Sequence, residues 1–193
     1  MIASLSKTAA LVVIDVQLGF DHPDWGPRNN AVAEANIARL IAAWRGSARP
    51  IHHVHHASQA PTGKFRKGSG GHAPKPEGMP LEGERVHVKA VNSGFIGTGL
   101  EQALREAGSV SLVIVGLTTN HCVSTTVRMA GNLGFDTYVV KDATAAFEGR
   151  ALDGRVRPAE EVHSGALSDL SEEFATITTT QAVLTALGRI NDR

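Results

Sequence analysis

Three side chains in this 193-residue chain stand where chemistry could begin. Asp15 lies inside the apolar run LVVIDVQ, where burial among hydrocarbon raises a carboxyl pKa and suits the group to taking up and returning a proton. The plainer alternative is an Asp that caps the following turn. Lys89 closes the run RVHVK, either as a cation held at the end of a buried segment or as a lysine whose head stays in water. Cys122, the only cysteine, follows SLVIVG and the turn Leu117-Thr118-Thr119-Asn120, and so falls in the first turn of a helix. There the helix dipole and free N–H groups favour a thiolate and can hold an oxyanion, although a lone buried cysteine also serves as a small hydrophobe. One thiol forms no internal disulfide and no multi-thiolate metal site.

Weaker candidates surround these three. Phe20, Trp25 and Phe95 follow Asp15 and Lys89 in loops and can build an aromatic pocket wall or simply pack. Gln17 and Asn92 offer amide groups for substrate or network roles. The run from His52 to His56 invites a metal reading, but period two on a strand puts His53 and His55 on one face and His52 and His56 on the other. The basic stretch Lys64-Phe65-Arg66-Lys67 is a solvated surface segment or a recruiter of an anionic substrate. Gly97-Thr98-Gly99 lacks the third glycine of a dinucleotide fingerprint, and there is no P-loop and no G-x-S-x-G elbow.

The elements that must position these groups read as βα units. Strands are expected at Ala10 to Val16, Pro50 to His55, Arg85 to Lys89, Ser109 to Gly116, Thr137 to Val140 and Ala175 to Ile177. Helices are expected at Asn30 to Trp44, Gly99 to Ala107, Asn120 to Leu133, Ala159 to Phe174 and Thr180 to Leu187. The first strand is continuously apolar rather than alternating, the mark of a strand covered on both faces. Alternating strands and helices give an α/β fold, a three-layer α/β/α arrangement on a mostly parallel, roughly six-stranded Rossmann-like sheet. Residues 1–193 read as a single domain. From Gln59 to Gly83 the chain is rich in Gly, Pro, Lys and Arg without an apolar period, as in a long surface loop used as a lid or binding segment. Such sheets bind ligands beyond the carboxyl ends of their strands, where Asp15, Lys89 and Cys122 all fall.

Composition narrows the partners. Lys plus Arg and Asp plus Glu both number 19, so the chain lacks the basic excess that drives binding to nucleic acid or anionic membranes. No apolar run approaches the roughly 20 residues that span a bilayer, and MIASLSKTAALVVIDV lacks a cleavage pattern, so a cytoplasmic protein is expected.

The blocks LVVIDVQ, VKAVNSGF with GTGL behind it, and VGLTTNHCVSTTVRMAGNLGFDTYVVKDATA resemble the three signature segments of isochorismatase-like hydrolases. The likeness runs through most of the chain and is nearly unbroken from Gly116 to Ala145. It implies a parallel sheet with helices on both faces, Asp15 as the catalytic Asp, Lys89 as its Lys, Cys122 as nucleophile and a cis peptide at Leu117–Thr118. That bond would aim the N–H groups of Thr118 and Cys122 at one oxyanion. The implied reaction is cysteine-dependent cleavage of an amide or carbamoyl C–N bond through a thioester, since members that cleave a vinyl ether typically lack the Cys. Nicotinamidases of the superfamily bind metal through an Asp-x-His pattern and a further His. Here His56-Ala57-Ser58 lacks the Asp, so neither metal nor other cofactor is expected and His56 is expected to line the pocket. The resemblance also implies a homo-oligomer, a dimer or tetramer, with Met129, Ala130 and Leu133 available for an interface. The alternatives are an isochorismatase-type or metal-assisted nicotinamidase-like reaction, or a catalytically silent assembly protein of the same fold.

Overall fold

The computed structural model describes residue 2 and residues 4–188. Six strands, β1 (Ala10–Ile14), β2 (Ile51–His56), β3 (Arg85–Lys89), β4 (Ser111–Leu117), β5 (Asp136–Ala145) and β8 (Thr176–Thr178), form one sheet. Their order is β3-β2-β1-β4-β5-β8, and every neighbouring pair is parallel. The order reverses at β1, between its neighbours β2 and β4, the switch point at which open α/β sheets form a crevice.

Both faces of β1 are buried, which explains its continuous apolar sequence. Val12 and Ile14 point into a core with Leu100 and Leu104 of α2 (Leu100–Glu106), Val127 and Ala130 of α3 (Ser124–Asn132), and Leu167 and Leu170 of α4 (Ala159–Leu170). Leu11 and Val13 point the other way, onto Ile37, Leu40, Ile41 and Trp44 of α1 (Ala33–Gly46) and Val183 and Ala186 of α5 (Thr180–Leu187). The three-layer α/β/α arrangement is therefore as expected.

Several boundaries differ for physical reasons. The first strand stops at Ile14 rather than Val16, because Asp15 takes the left-handed conformation, φ 51°. β5 runs past Val140 to Ala145: its register against β4 jumps from Ile114↔Val139 to Gly116↔Thr144, so the intervening residues bulge. The Asn30 side-chain amide collects the Lys141 and Thr144 carbonyls at 2.9 and 2.8 Å, satisfying groups the bulge leaves without a ladder partner. A short antiparallel hairpin, β6 (Gly149–Arg150) and β7 (Val156–Arg157), was not expected from the sequence. α4 ends at Leu170 rather than Phe174.

The segment 59–83 is more than a surface loop. It makes two short helical turns, Gly70–His72 and Pro76–Gly78, and buries Phe65 and Lys75. Lys75 is held between Asp21 and Glu34, and Glu34 also takes a bidentate pair from Arg28 at 2.6 and 2.7 Å. Ala130 is fully buried in the core, so it is not free for the interface suggested above, and Met129 and Leu133 pack against the same core. Among the described residues, no helix is long and apolar enough to cross a membrane.

Candidate active site

Three strand ends converge. Asp15 is the first residue beyond β1, Lys89 the last of β3, and Cys122 lies in a π-type turn, Thr119–Val123, that follows β4 and leads into α3. The Lys89 Nζ lies 2.6 Å from Asp15 Oδ2 and 3.3 Å from Cys122 Sγ, and all three side chains are buried. Asp15 pays for this placement with a left-handed backbone, which is held because its N–H donates to Val54 O and its own carbonyl accepts from Gln17, both at 2.8 Å. Among the described residues, its second oxygen, Oδ1, is buried without a hydrogen-bond partner.

The electrostatics depart from the sequence reading in one respect. Burial pushes the Asp15 carboxyl up against the opposing pull of the Lys89 ammonium, as expected of a proton acceptor. Burial, reinforced by the Asp15 charge, also pushes the Cys122 thiol up to about 12. Proximity to a helix start therefore does not make this a resting thiolate: the loss of water and the neighbouring carboxylate outweigh the Lys89 cation.

The turn that carries Cys122 is built from β4. Gly116 pairs with Ile14 and takes φ 122°, and a Cβ there would collide with the Ile14 carbonyl oxygen, so glycine is required at this approach. The peptide Leu117–Thr118 is cis, as the resemblance implied. The N–H groups of His121 and Val123 both bond Thr118 O at 3.2 Å, which closes the turn around Cys122.

A cavity of about 190 Å³ opens above the sulfur, lined by Asp15, Phe20, Trp25, His56, Phe65, Asn92, Thr118, His121 and Cys122. Phe20 lies 4.7 Å from Phe65 and 5.4 Å from Trp25 between ring centroids, and Phe147 stacks on Trp25 at 5.4 Å. His56 reaches Lys89 Nζ with Nδ1 at 3.3 Å, and Asn92 Oδ1 lies 3.9 Å from the sulfur. Phe20, Trp25, His56 and Asn92 thus stand where a pocket needs them.

Two expected pocket residues do not. Gln17 is fully buried and spends its amide on backbone: Oε1 accepts from His56 N at 2.7 Å, and Nε2 donates to His56 O and His72 O at 3.1 and 2.8 Å. It ties the end of β2 to the 59–83 segment rather than lining the pocket. Phe95 turns into the core and stacks on Phe135 at 6.0 Å, because the chain after Lys89 folds back under α3 through the bond from Gly94 N to Thr126 Oγ1. Phe65 and His121 are the lining residues that sequence reading missed. His121 had one signal, its position beside Cys122, whereas Phe65 sits among Gly, Lys and Arg with none.

The histidine run divides as alternation requires. His52 contacts His87 at 3.1 Å on one face, while His53 bonds Glu84 at 2.8 Å, and only His56 reaches the cavity. Among the described residues no three His, Cys, Asp or Glu side chains converge as metal ligands. Larger clefts of about 400 and 360 Å³ lie along α4 and at the opposite end of the sheet, and neither is lined by Asp15, Lys89 or Cys122.

Residues 9–182 match the model of the isochorismatase domain. An isochorismatase-family protein of Bacillus subtilis, YrdC, is 43% identical over 180 residues, which is 93% of this chain and 96% of that one. The crystal structure of an isochorismatase-family protein from Chromobacterium violaceum is 44% identical, covers 98% of this chain and 100% of its own, and superposes with a TM-score of 0.94. A more distant relative, the ureidoacrylate amidohydrolase RutB of Methylobacterium radiotolerans, is 29% identical over 94% of this chain and 80% of its own. With this coverage, and with the sheet order and strand-end cluster described above, the chain belongs to the isochorismatase family of hydrolases.

Proposed function

We propose that the protein is a cysteine hydrolase that cleaves an amide or carbamoyl C–N bond of a small molecule. The observation that carries this reading is the single ammonium of Lys89, which touches both the Asp15 carboxylate and the Cys122 sulfur at the floor of a cavity. A base and a nucleophile gathered on one cation are the parts that nucleophilic acyl transfer needs. The amidohydrolase relative named above lends support to the bond type.

Asp15 takes the thiol proton as sulfur attacks the carbonyl carbon, and the N–H groups of Thr118 and Cys122 receive the oxyanion. Protonated Asp15 returns the proton to the leaving nitrogen, which departs as amine or ammonia and leaves a thioester on Cys122. Water, deprotonated by Asp15, cleaves the thioester and releases the acid. The sum is amide plus water to acid plus amine, with no redox step.

The test is a screen of primary amides, carbamoyl compounds and lactams for ammonia or acid release, run in parallel on the wild type and on Cys122→Ala. Turnover of at least one compound by the wild type is expected, with a loss of several orders of magnitude in the variant. The substitution exchanges one small buried side chain for another, so circular dichroism should be unchanged. Equal turnover by the two proteins refutes the cysteine mechanism.

A further inference from the structure

We propose that His163 is a positioning residue for the nucleophile: from outside the cavity, its imidazole holds the turn that carries Cys122. This rests on the cysteine-hydrolase reading above and adds a residue that does not line the cavity.

His163 sits on α4, whose Leu167 and Leu170 pack in one core with Cys122 and Val123. It is 4% exposed, and a buried imidazole needs polar partners for its nitrogens. Nδ1 lies 2.8 Å from Thr119 Oγ1, and Thr119, the first residue of the π-type turn, is itself fully buried. A hydroxyl both donates and accepts, so this bond forms with either ring nitrogen protonated. Nε2 faces the Asn30 amide nitrogen at 3.3 Å, the same amide that donates to the Lys141 and Thr144 carbonyls of the β5 bulge. One imidazole thus links the turn to α4 and, through Asn30, to the sheet.

The turn has few other ties. No side chain caps its start, and its further side-chain bonds are local: Thr118 Oγ1 with His121 Nδ1 at 3.2 Å, the Asn120 amide with His121 Nε2 at 3.4 Å, and Thr125 Oγ1 to the His121 carbonyl at 2.8 Å. Set aside the contacts of Cys122 with Lys89 and Asn92. Among the described residues, Thr119–His163 is then the one side-chain hydrogen bond that joins the turn to an element other than the helix that continues it. The turn carries the sulfur and the Cys122 N–H assigned to the oxyanion, so freeing Thr119 displaces nucleophile and donor together. The loss falls on kcat rather than on substrate affinity, because Phe20, Trp25, His56 and Phe65 stand on other segments of the cavity wall.

The test sets His163→Asn, which keeps a polar atom near the place of Nδ1, against His163→Leu, which keeps bulk and loses the bond. Kinetics use the amide turned over in the screen above. His163→Leu and Thr119→Val should each lower kcat about tenfold or more with KM within about twofold, and the double variant should be little worse than either. His163→Asn should return kcat to within about threefold of the wild type. A role in packing alone gives the reverse order, with His163→Leu the more active because it leaves less empty volume. Alkylation of Cys122 by iodoacetamide reads the turn without any substrate. It should be faster in His163→Leu and Thr119→Val than in the wild type, and should fall back toward the wild-type rate in His163→Asn. Thr119→Val leaves α4 untouched, so it tests the same bond even where a His163 variant fails to fold. A His163→Leu protein that matches or outperforms His163→Asn, or additive losses in the double variant, overturns the positioning role. Failure of the hydrolase reading is a separate result: the wild type would cleave no amide, yet the order of alkylation rates would stand.

Discussion

The most exacting perturbation lies one layer behind the pocket, at Glu34→Gln. Each segment carrying an aromatic wall residue is fastened to this carboxylate directly or through one neighbour. Asp21 follows Phe20 and bonds Lys75; Lys75 belongs to the segment of Phe65; Arg28 follows Trp25 and bridges to Phe147. Burial alone would raise the Glu34 pKa, but the hydrogen bonds from Arg28 and Lys75, with their charges, outweigh it and hold the carboxyl at about 2 instead of 4.5. At 1.36 kcal/mol per pH unit, that difference corresponds to about 3 kcal/mol of stability. The side chain is 11% exposed, so solvent screening removes little of it. The sign follows from the depressed pKa: the contribution is full above about pH 4.5 and fades as pH falls toward 2. At pH 7 the variant should lose about 3 kcal/mol in urea unfolding, roughly 6–12 °C in Tm for a chain of this size. The gap between wild type and variant should then narrow as pH falls from 4.5 to 3, while KM for the amide substrate rises more than kcat falls. A gap that stays constant down to pH 3, or a loss below about 1 kcal/mol, would refute the reasoning and reduce the cluster to an ordinary surface pair.

With its thiol pushed up to about 12, Cys122 should react with iodoacetamide at pH 7 no faster than free cysteine; faster alkylation would mean that a thiolate is already present. Turnover should survive EDTA, because on the proposed mechanism the nucleophile is sulfur and His56-Ala57-Ser58 lacks the Asp of the metal-binding pattern in nicotinamidases. Loss of activity restored by zinc would reassign the histidine run. Light scattering at micromolar concentration should give a dimer or tetramer, in keeping with exposed aliphatic groups at Val86 and Val88 on the edge strand β3, and a monomer would contradict it.

What was legible in the sequence follows how local each signal is. Asp15, Lys89 and Cys122 could be placed together because each stands at or shortly beyond the carboxyl end of a strand, and strand ends in a parallel sheet share one rim. Gln17 and Phe95 stand at the same rim in sequence, but a side chain's direction there depends on how the following loop folds. The bonds from Gln17 to His56 and His72 span 39 and 55 residues. The 59–83 segment misled for a related reason. Its buried side chains, Phe65 and Lys75, are isolated and have partners elsewhere in the chain, so no period marks it. The bulge in β5 likewise depends on Asn30, more than a hundred residues earlier, to donate to its carbonyls.

A thiol pushed up to about 12 looks unsuited to attack, yet the same geometry supplies the answer. The proposed mechanism starts from Asp15 as carboxylate, Lys89 as ammonium and Cys122 as thiol. On the proposed mechanism the thiol proton passes to Asp15, leaving carboxylic acid, ammonium and thiolate. Net charge is unchanged, and the negative charge moves between two atoms that lie 2.6 and 3.3 Å from the same Nζ. The high thiol pKa describes a different event, loss of the proton to water, which would place a second anion beside a carboxylate in a buried corner. Internal transfer avoids that second anion, and burial helps it by raising Asp15 as well. Lys89 therefore does not need to create a resting thiolate. Its position lets one cation stabilise both ends of a proton transfer that a water-filled site would not confine.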